Sequence, residues 1–529
     1  MDSHVSVLIV GAGPTGLMMA CELARRGIVC RIIDKKPERT PASNAICIQT
    51  RTLEIFSQMG LINQFLKVGH ACHAINLYIN GKAIAKLSLN HIHSTYPFVL
   101  MLPQHDTEKL LDEYLNTFHI HIERSVELIT VTHSDHLATA IIRHADGQTE
   151  TITTSWLIAC DGANSSIREQ CGLQFIGNDL TEQCVVADAK IDFSFMSKDE
   201  AHLFFDSKTL LAAFPLGLNK YRIAANLHLD YPRQSFTKHE VIEIVQERAH
   251  GNYYVTDVNW ISPFWVHCKL ANHMRQGPVF LAGDAAHIHS PAGGQGMNTG
   301  LQDAFNIAWK LALVVQGQAL PSLLNTYEIE RYPIAKEAVE KNDYFTKFAL
   351  FDDKFLKKLK KVSEELHHDE AHLSKKFGEW LTQLDICYQH SPIIDYNTQV
   401  SIHSPQPGER APDVVLSETR RLYHYFYHTK HTLLLLTGID SAAHAWLKIK
   451  ALKEHIDQTY RDLVQTYCIS KDEMTGQPDF ILDNHADIHI RYDIKTPTVY
   501  LIRPDGYIAY CSTEFNFSSI TNVLNKYLC

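Results

Sequence analysis

The chain has 529 residues, 45% hydrophobic and 20% charged, with a formal net charge of -10. That length suggests two to four domains with ample core material, and the negative balance argues against nucleic acid as the main partner. Twelve cysteines are scattered without a CxxC, which argues against a disulfide scaffold or zinc ribbon and for reduced, mostly buried thiols in a cytoplasmic protein.

The first predicted elements lie in HVSVLIVGAGPTGLMMACELARRGIVCRIIDK. Residues 5–10 are a β-branched run, and Gly11, Gly13 and Gly16 follow as GxGxxG. Residues 18–24 continue as an apolar helix closed by Gly27, and residues 28–33 form a second strand ending at Asp34. The glycines interrupt the apolar run, so it reads as strand, turn and helix, not as a signal peptide or membrane span. Gly11 permits the tight turn, Gly13 lets a pyrophosphate approach the backbone, and Gly16 lets the helix pack on the strand. The helix N-terminus faces the phosphates, and Asp34 can accept from a ribose hydroxyl. The motif alone leaves NAD and FAD both open.

Next come SNAICIQTRTLEIF, containing Asn44 and Arg51, and LYINGKAIAKLSL, whose Asn80-Gly81 is a hairpin signal. LPQHDTEKLL contains Gln104, and LIACDGANSSIREQCG is an apolar strand meeting a turn at Asp161-Gly162. Asp161, Ser165 and Arg168 can bind pyrophosphate or ribose groups; a helix simply capped by Asn164 or Ser165 is the other reading. Residues 174–270 carry further strands, predicting an antiparallel sheet that roofs a substrate pocket. Phe204, Phe205, Phe214, Tyr221 and Trp265 are candidate pocket liners, with ordinary core the favoured role for each.

PVFLAGDAAH then predicts a buried strand ending at Gly283-Asp284, at the carboxyl edge of a parallel sheet where ligands bind. PAGGQGMNTG runs into a helix with apolar residues at Leu301, Ala304, Phe305, Ala308, Trp309 and Leu311. The glycines precede a helix N-terminus that carries free N–H groups and partial positive charge, so a flat, electron-accepting ring can lie against the backbone there. His287-Ile288-His289 and His91-Ile92-His93 resemble metal pairs, but neither implies a third ligand, and no metal is expected. Residues 327–350 read as one long helix, 353–386 as helical with a solvated Lys/Glu face, and 392–412 as a linker. Beyond them strands alternate with helices, as in an α/β domain.

These three motifs, in this order, resemble the FAD-dependent aromatic hydroxylases, the class A flavoprotein monooxygenases of the p-hydroxybenzoate hydroxylase fold; the resemblance covers roughly residues 4–345. It implies an α/β architecture: a Rossmann-like FAD-binding domain (1–70, 104–173 and 271–345) with an inserted antiparallel-sheet substrate domain (71–103 and 174–270). A helical connection (346–395) and a thioredoxin-like C-terminal domain (396–529), as in phenol- and polyketide-hydroxylase relatives, complete it. The absence of a CxxC leaves that last domain to packing or a homodimer contact.

The resemblance also implies FAD contacts at Gly11, Gly13, Pro14, Thr15, Gly16, Asp34 and Lys35, and at Arg51, Gln104 and Asp161. Further FAD contacts follow at Gly283, Asp284, Pro291, Gly294, Gly296, Met297 and Asn298, and an NAD(P)H contact at Arg168. Many relatives carry a basic residue where Asn44 stands. The expected activity is NAD(P)H- and O2-dependent hydroxylation of a phenolic or polyketide-like ring through a flavin C4a-hydroperoxide. NADPH or NADH would bind transiently, because no second strand-GxGxxG-helix exists. An antibiotic-inactivating monooxygenase of the rifamycin or tetracycline type, or a flavin reductase, is the alternative.

Overall fold

Four of the predicted strands lie side by side and parallel in a single sheet: Val279–Leu281, Thr149–Ala159, Ser3–Val10 and Arg31–Asp34. The register sets Val10 opposite both Ala159 and Ile33, and Ala159 opposite Leu281. The sequence motifs therefore emerge at one carboxyl edge, although hundreds of residues separate them along the chain. The computed structural model describes residues 3–40, 45–192, 197–206, 209–227, 233–250, 253–351, 355–418, 420–440, 443–472 and 480–529. Asn44 lies outside the described residues.

Strand burial explains why this sheet is central: Val7, Leu8, Ile9, Leu157, Ile158, Val279, Phe280 and Leu281 are inaccessible, as in a parallel sheet covered on both faces. The helices Pro14–Arg25 and Gly296–Val315 pack on it and on one another. Glycine makes the closest of these contacts possible. A Cβ on Gly16 would stand 1.9 Å from the Gly11 carbonyl oxygen, and one on Gly283 would stand 2.4 Å from the Thr15 hydroxyl.

The second sheet has eight strands, in the order His287–Ile288, Tyr254–Ala271, Phe175–Asp192, Lys220–Leu227, Thr209–Gly217, Glu200–Asp206, Ala74–Ile79 and Lys82–Ser88. The hairpin at Asn80-Gly81 is present, both residues at positive φ. One expectation is corrected here: Glu200–Asp206 pairs with Ala74–Ile79 in parallel, so the sheet is mixed. The two strands come from separate excursions of the chain away from the parallel sheet, and no hairpin dictates their direction. His287–Ile288 pairs with the end of Tyr254–Ala271, which joins the segment after Asp284 directly to this sheet.

The long helix is Thr326–Phe351. The helices Phe355–His368 and Glu370–Leu381 are less solvated than expected, because Leu356, Leu359, Leu373 and Phe377 pack on the outer hairpin of the second sheet. Lysines dominate the composition there and conceal the apolar stripe between them. The 392–412 segment also packs, with Ile393, Ile394 and Ala411 buried.

The C-terminal sheet runs Phe480–Leu482, Val464–Ser470, His431–Leu436, Thr498–Ile502, Ile508–Ser512, three parallel strands and then an antiparallel hairpin. Helix Gly296–Val315 belongs to two cores at once. Leu301, Ala304, Phe305 and Ala308 face the nucleotide core, while Trp309 packs with Leu433, Val499 and Tyr527. Buried charges reinforce that junction. Arg503 donates to Glu330 at 2.6 and 2.9 Å, Lys310 reaches Glu330 at 2.7 Å, and the Trp309 indole donates to Asp505. Among the described residues no helix is long and apolar enough to cross a membrane.

Candidate active site

A cavity of about 670 Å³ runs from the carboxyl edge of the parallel sheet to the inner face of the second sheet. Its nucleotide end is built from backbone. Gly11 has φ +102, a conformation that favours glycine, and a Cβ there would lie 2.2 Å from the Cys160 carbonyl oxygen. A Cβ on Gly13, in contrast, would meet nothing within 4 Å. That open space lies directly before the helix Pro14–Arg25, whose first turn has no side-chain cap. Its N–H groups are therefore available to an anion.

Asp34 ends the neighbouring strand. Its carboxylate accepts from Ala12 N–H at 2.7 Å and Lys36 N–H at 2.8 Å, which fixes it while its remaining lone pairs stay available. Asp161 also lines the cavity; burial raises its carboxyl, and its Oδ1 has no hydrogen-bond partner. Asp284 is accessible through the cavity yet surrounded by protein, and that burial raises its carboxyl while His287 opposes the shift. The unpartnered Asp161 Oδ1, the cavity-facing Asp284 carboxyl and an uncapped helix end on one space form a polar cradle that a dinucleotide's hydroxyls and phosphates complete. The donor set thus fits FAD.

The loop around Pro291 to Gly296 forms the middle of the wall, and the helix Gly296–Val315 begins there, again without a side-chain cap. Asn298 sits just inside that helix but does not face the cavity. Its side chain accepts from Gln49 N–H and donates to the Cys47 and Gly294 carbonyls at 2.8–2.9 Å, sewing the loop to the 47–49 segment. One carboxylate below this wall gathers three donors. Asp303 accepts from Gly283 N–H at 3.1 Å, His287 Nε2 at 2.7 Å and Arg331 Nε at 2.8 Å.

The far end is built from side chains at two-residue spacing: Cys184 and Val186, Leu210, Ala212 and Phe214, Arg222, Ala224 and Asn226, Phe264 and Val266. Leu381 closes the chamber from the helix side. Arg222 holds Asp188 through Nε and NH2 and lies 4.6 Å from the Trp260 ring. Such a chamber is mostly apolar with a few placed polar groups, the usual makeup of a small-molecule site.

Of the residues expected from sequence, Gly11, Gly13, Pro14, Thr15, Asp34, Lys35, Gln104, Asp161, Asp284, Pro291, Gly294, Gly296 and Met297 line the cavity. Gly16 and Gly283 serve it from behind, through the close packing described above. Three residues are placed elsewhere. Arg51 is buried under the C-terminal domain, donating to Glu54 and to the Asp505 carbonyl. Arg168 donates to the Ala163 and Ala285 carbonyls at 2.9 Å and lies 3.8 Å from the Phe175 ring, so it braces one turn against the next. Asn298 is fully buried. Ser165 does cap its helix, accepting from Arg168 N–H at 3.0 Å.

Strand parity settles the aromatic candidates. Phe204 and Tyr221 point to the opposite face, under the helix Lys238–Arg248. Phe205 packs with Leu77 and Ile79, and Trp265 is exposed. Only Phe214 of these five lines the cavity. Arg222 and Asn226 were not anticipated; they share a parity with Ala224 that could have marked them. Among the described residues no three potential metal ligands come together.

Comparison with known proteins agrees with this geometry. Residues 4–342 match the family described as FAD binding domain. A flavin-dependent monooxygenase of Mycobacteroides abscessus is 31% identical over 95% of this chain and 96% of its own length. The 6-methylpretetramide 4-monooxygenase of Streptomyces rimosus is 32% identical over 95% of this chain and 90% of its own. The solved structure of the OxyS anhydrotetracycline hydroxylase from Streptomyces rimosus superposes with a TM-score of 0.75 at 27% identity, covering 99% of both chains.

Proposed function

The chain belongs to the FAD binding domain family of flavin-dependent monooxygenases, and on that premise we propose that it hydroxylates an aromatic ring at the expense of NAD(P)H and O2. The observation that carries this reading is the continuity of one cavity from the nucleotide cradle to an apolar chamber. A cofactor held at one end can present its reactive ring to a substrate held at the other. FAD bound there and reduced by a nicotinamide would supply the activation of O2, one atom of which would enter the ring while the other left as water.

The chain's own residues do the rest. Gly13 and the N-terminus of Pro14–Arg25 receive the pyrophosphate, and Asp34 accepts from a ribose hydroxyl. Asp284 accepts from a ribityl hydroxyl. The uncapped N-terminus at Gly296 places partial positive charge beside the ring and favours its electron-rich state. Leu203, Leu210, Phe214 and Phe264 exclude water from the reacting pair. Arg222 and Asn226 offer polar anchors for ring substituents. Similar proteins are named for 6-methylpretetramide, for anhydrotetracycline and, in Sphingobium chlorophenolicum at 29% identity, for pentachlorophenol; we infer a phenolic or polyketide-like substrate of the same chemistry for this chain.

The test is oxidation of NADPH and NADH in air by the purified protein against a panel of phenols and polyphenolic polyketides, with product mass read alongside. Hydroxylation gives a compound that speeds oxidation and gains one oxygen atom. Faster oxidation of every panel member without oxygen gain would overturn the hydroxylase reading.

A further inference from the structure

His287 and His289 follow Asp284 in one extended segment, and both line the cavity. They are held differently. His289 places Nδ1 2.9 Å from the Ser290 carbonyl oxygen, and burial, with His287 beside it, lowers it to about 4, so it stays neutral. His287 is tied by Nε2 to Asp303 at 2.7 Å. Burial alone would raise the Asp303 carboxyl; His287 and Arg331 outweigh it and hold it below the usual range. An ionised carboxylate only accepts. The ring proton of His287 therefore sits on Nε2, and Nδ1 is left with the lone pair. No hydrogen bond engages Nδ1 among the described residues.

The Asp303 carboxylate already pairs with the buried Arg331 guanidinium, so the two charges offset one another's desolvation. What the carboxylate adds is command of the His287 tautomer and a counter-charge should the ring gain a second proton. We propose that Asp303 is a positioning residue that holds His287 as a proton acceptor beside the cofactor, and that His287 takes up one proton when the cofactor gains two electrons.

The inference rests on the FAD reading above. In the balance, oxidised FAD takes two electrons from the reductant and one proton from solvent to become the reduced anion. His287 Nδ1 takes a further solvent proton and becomes imidazolium, set between Asp303 and the new negative charge. The other charged or titratable groups near it are Asp284 on the turn, His289 on its own segment and Arg331 behind Asp303; on the paired strand Leu270 stands opposite His287, and Lys269 is opposite Ile288. Arg331 is already committed to Asp303 and to the Thr299 carbonyl, so the arriving proton meets a site with acceptors on both sides.

The experiment is a dithionite titration of the holoenzyme against reference dyes between about pH 6 and about pH 8, with FAD affinity of the apoprotein measured alongside by flavin fluorescence. The wild type is expected to take up two protons per electron pair in this range. His287→Gln keeps an amide donor for Asp303. It should bind FAD within roughly threefold of wild type, a change below 1 kcal/mol, and halve the pH slope of the midpoint potential. Asp303→Asn should turn its amide toward Nε2, shift the ring proton to Nδ1 and lose the second proton as well. The same slope in wild type and His287→Gln would overturn the proposal, and so would a one-proton slope in the wild type. A wild-type apoprotein that binds no FAD would instead overturn the cofactor reading. If Asp303→Asn fails to fold, His287→Gln decides alone.

Discussion

The two ends of the cavity are made of different materials. The nucleotide end is mostly main chain: glycines at positions where a Cβ has no room or would fill the site, and helix ends left uncapped. The substrate end is mostly side chain, drawn from alternate residues of several strands. A backbone-built site tolerates few residues at each position, because conformation and clearance are fixed. A side-chain-built site tolerates many, because any residue that keeps the strand parity keeps the wall. The first end should therefore fail steeply on substitution, and the second should change what it binds.

The steepest failure is expected at Gly11. Alanine there must adopt φ +102 with its Cβ 2.2 Å from a carbonyl oxygen; the conformation alone costs about 1–3 kcal/mol. Gly11→Ala should lose both bound flavin and thermal stability, read by absorbance and melting temperature. Gly13→Ala sharpens the comparison, because its φ of -76 suits alanine and its Cβ meets no protein atom. Its melting temperature as apoprotein should match the wild type, while FAD affinity falls on the order of 100-fold, about 2.7 kcal/mol. Unchanged FAD affinity in that variant would remove the pyrophosphate from this turn.

Asp284→Ala comes next. Loss of one hydrogen bond to a charged acceptor, about 1.5–3 kcal/mol, should weaken FAD roughly 10- to 100-fold in a fluorescence titration. Normal flavin content would contradict its assignment. The smallest effect is expected at the other end. Phe214→Ala should leave FAD content unchanged and raise KM for an accepted ring by a few-fold, about 1 kcal/mol. It should also admit bulkier rings, read as product mass across the substrate panel. Loss of flavin in Phe214→Ala would break the division between the two ends.

The same division explains what the amino-acid order reveals. Gly11, Gly13, Asp34 and Asp284 are legible because each is a residue type demanded by a backbone geometry, next to a strand of recognisable pattern. The parallel strands were legible from their apolar runs, rich in β-branched residues at 5–10. Arg222 and Asn226 were not, because nothing local distinguishes the inner face of a strand from the outer one; Phe204 and Tyr221 carry as much aromatic surface and point the other way. Arg51 and Arg168 are placed away from the cavity wall because a guanidinium near a phosphate-binding turn has two uses, and here part of each is taken up by protein carbonyls. Besides Glu54, three residues on, Arg51 binds a carbonyl 454 residues away, beyond any local pattern.

The junction at Glu330 has a consequence for how the protein is made. Glu330 and Lys310 lie in the nucleotide half, but the arginine that completes their buried cluster is 173 residues further along the chain than Glu330. A ribosome adding about 5–20 residues per second delivers Arg503 some ten to thirty seconds after Glu330. During that interval the nucleotide half is on hand with a carboxylate and an indole side chain awaiting their cover. The segment around Arg503 thus seals a core assembled from residues translated well before it.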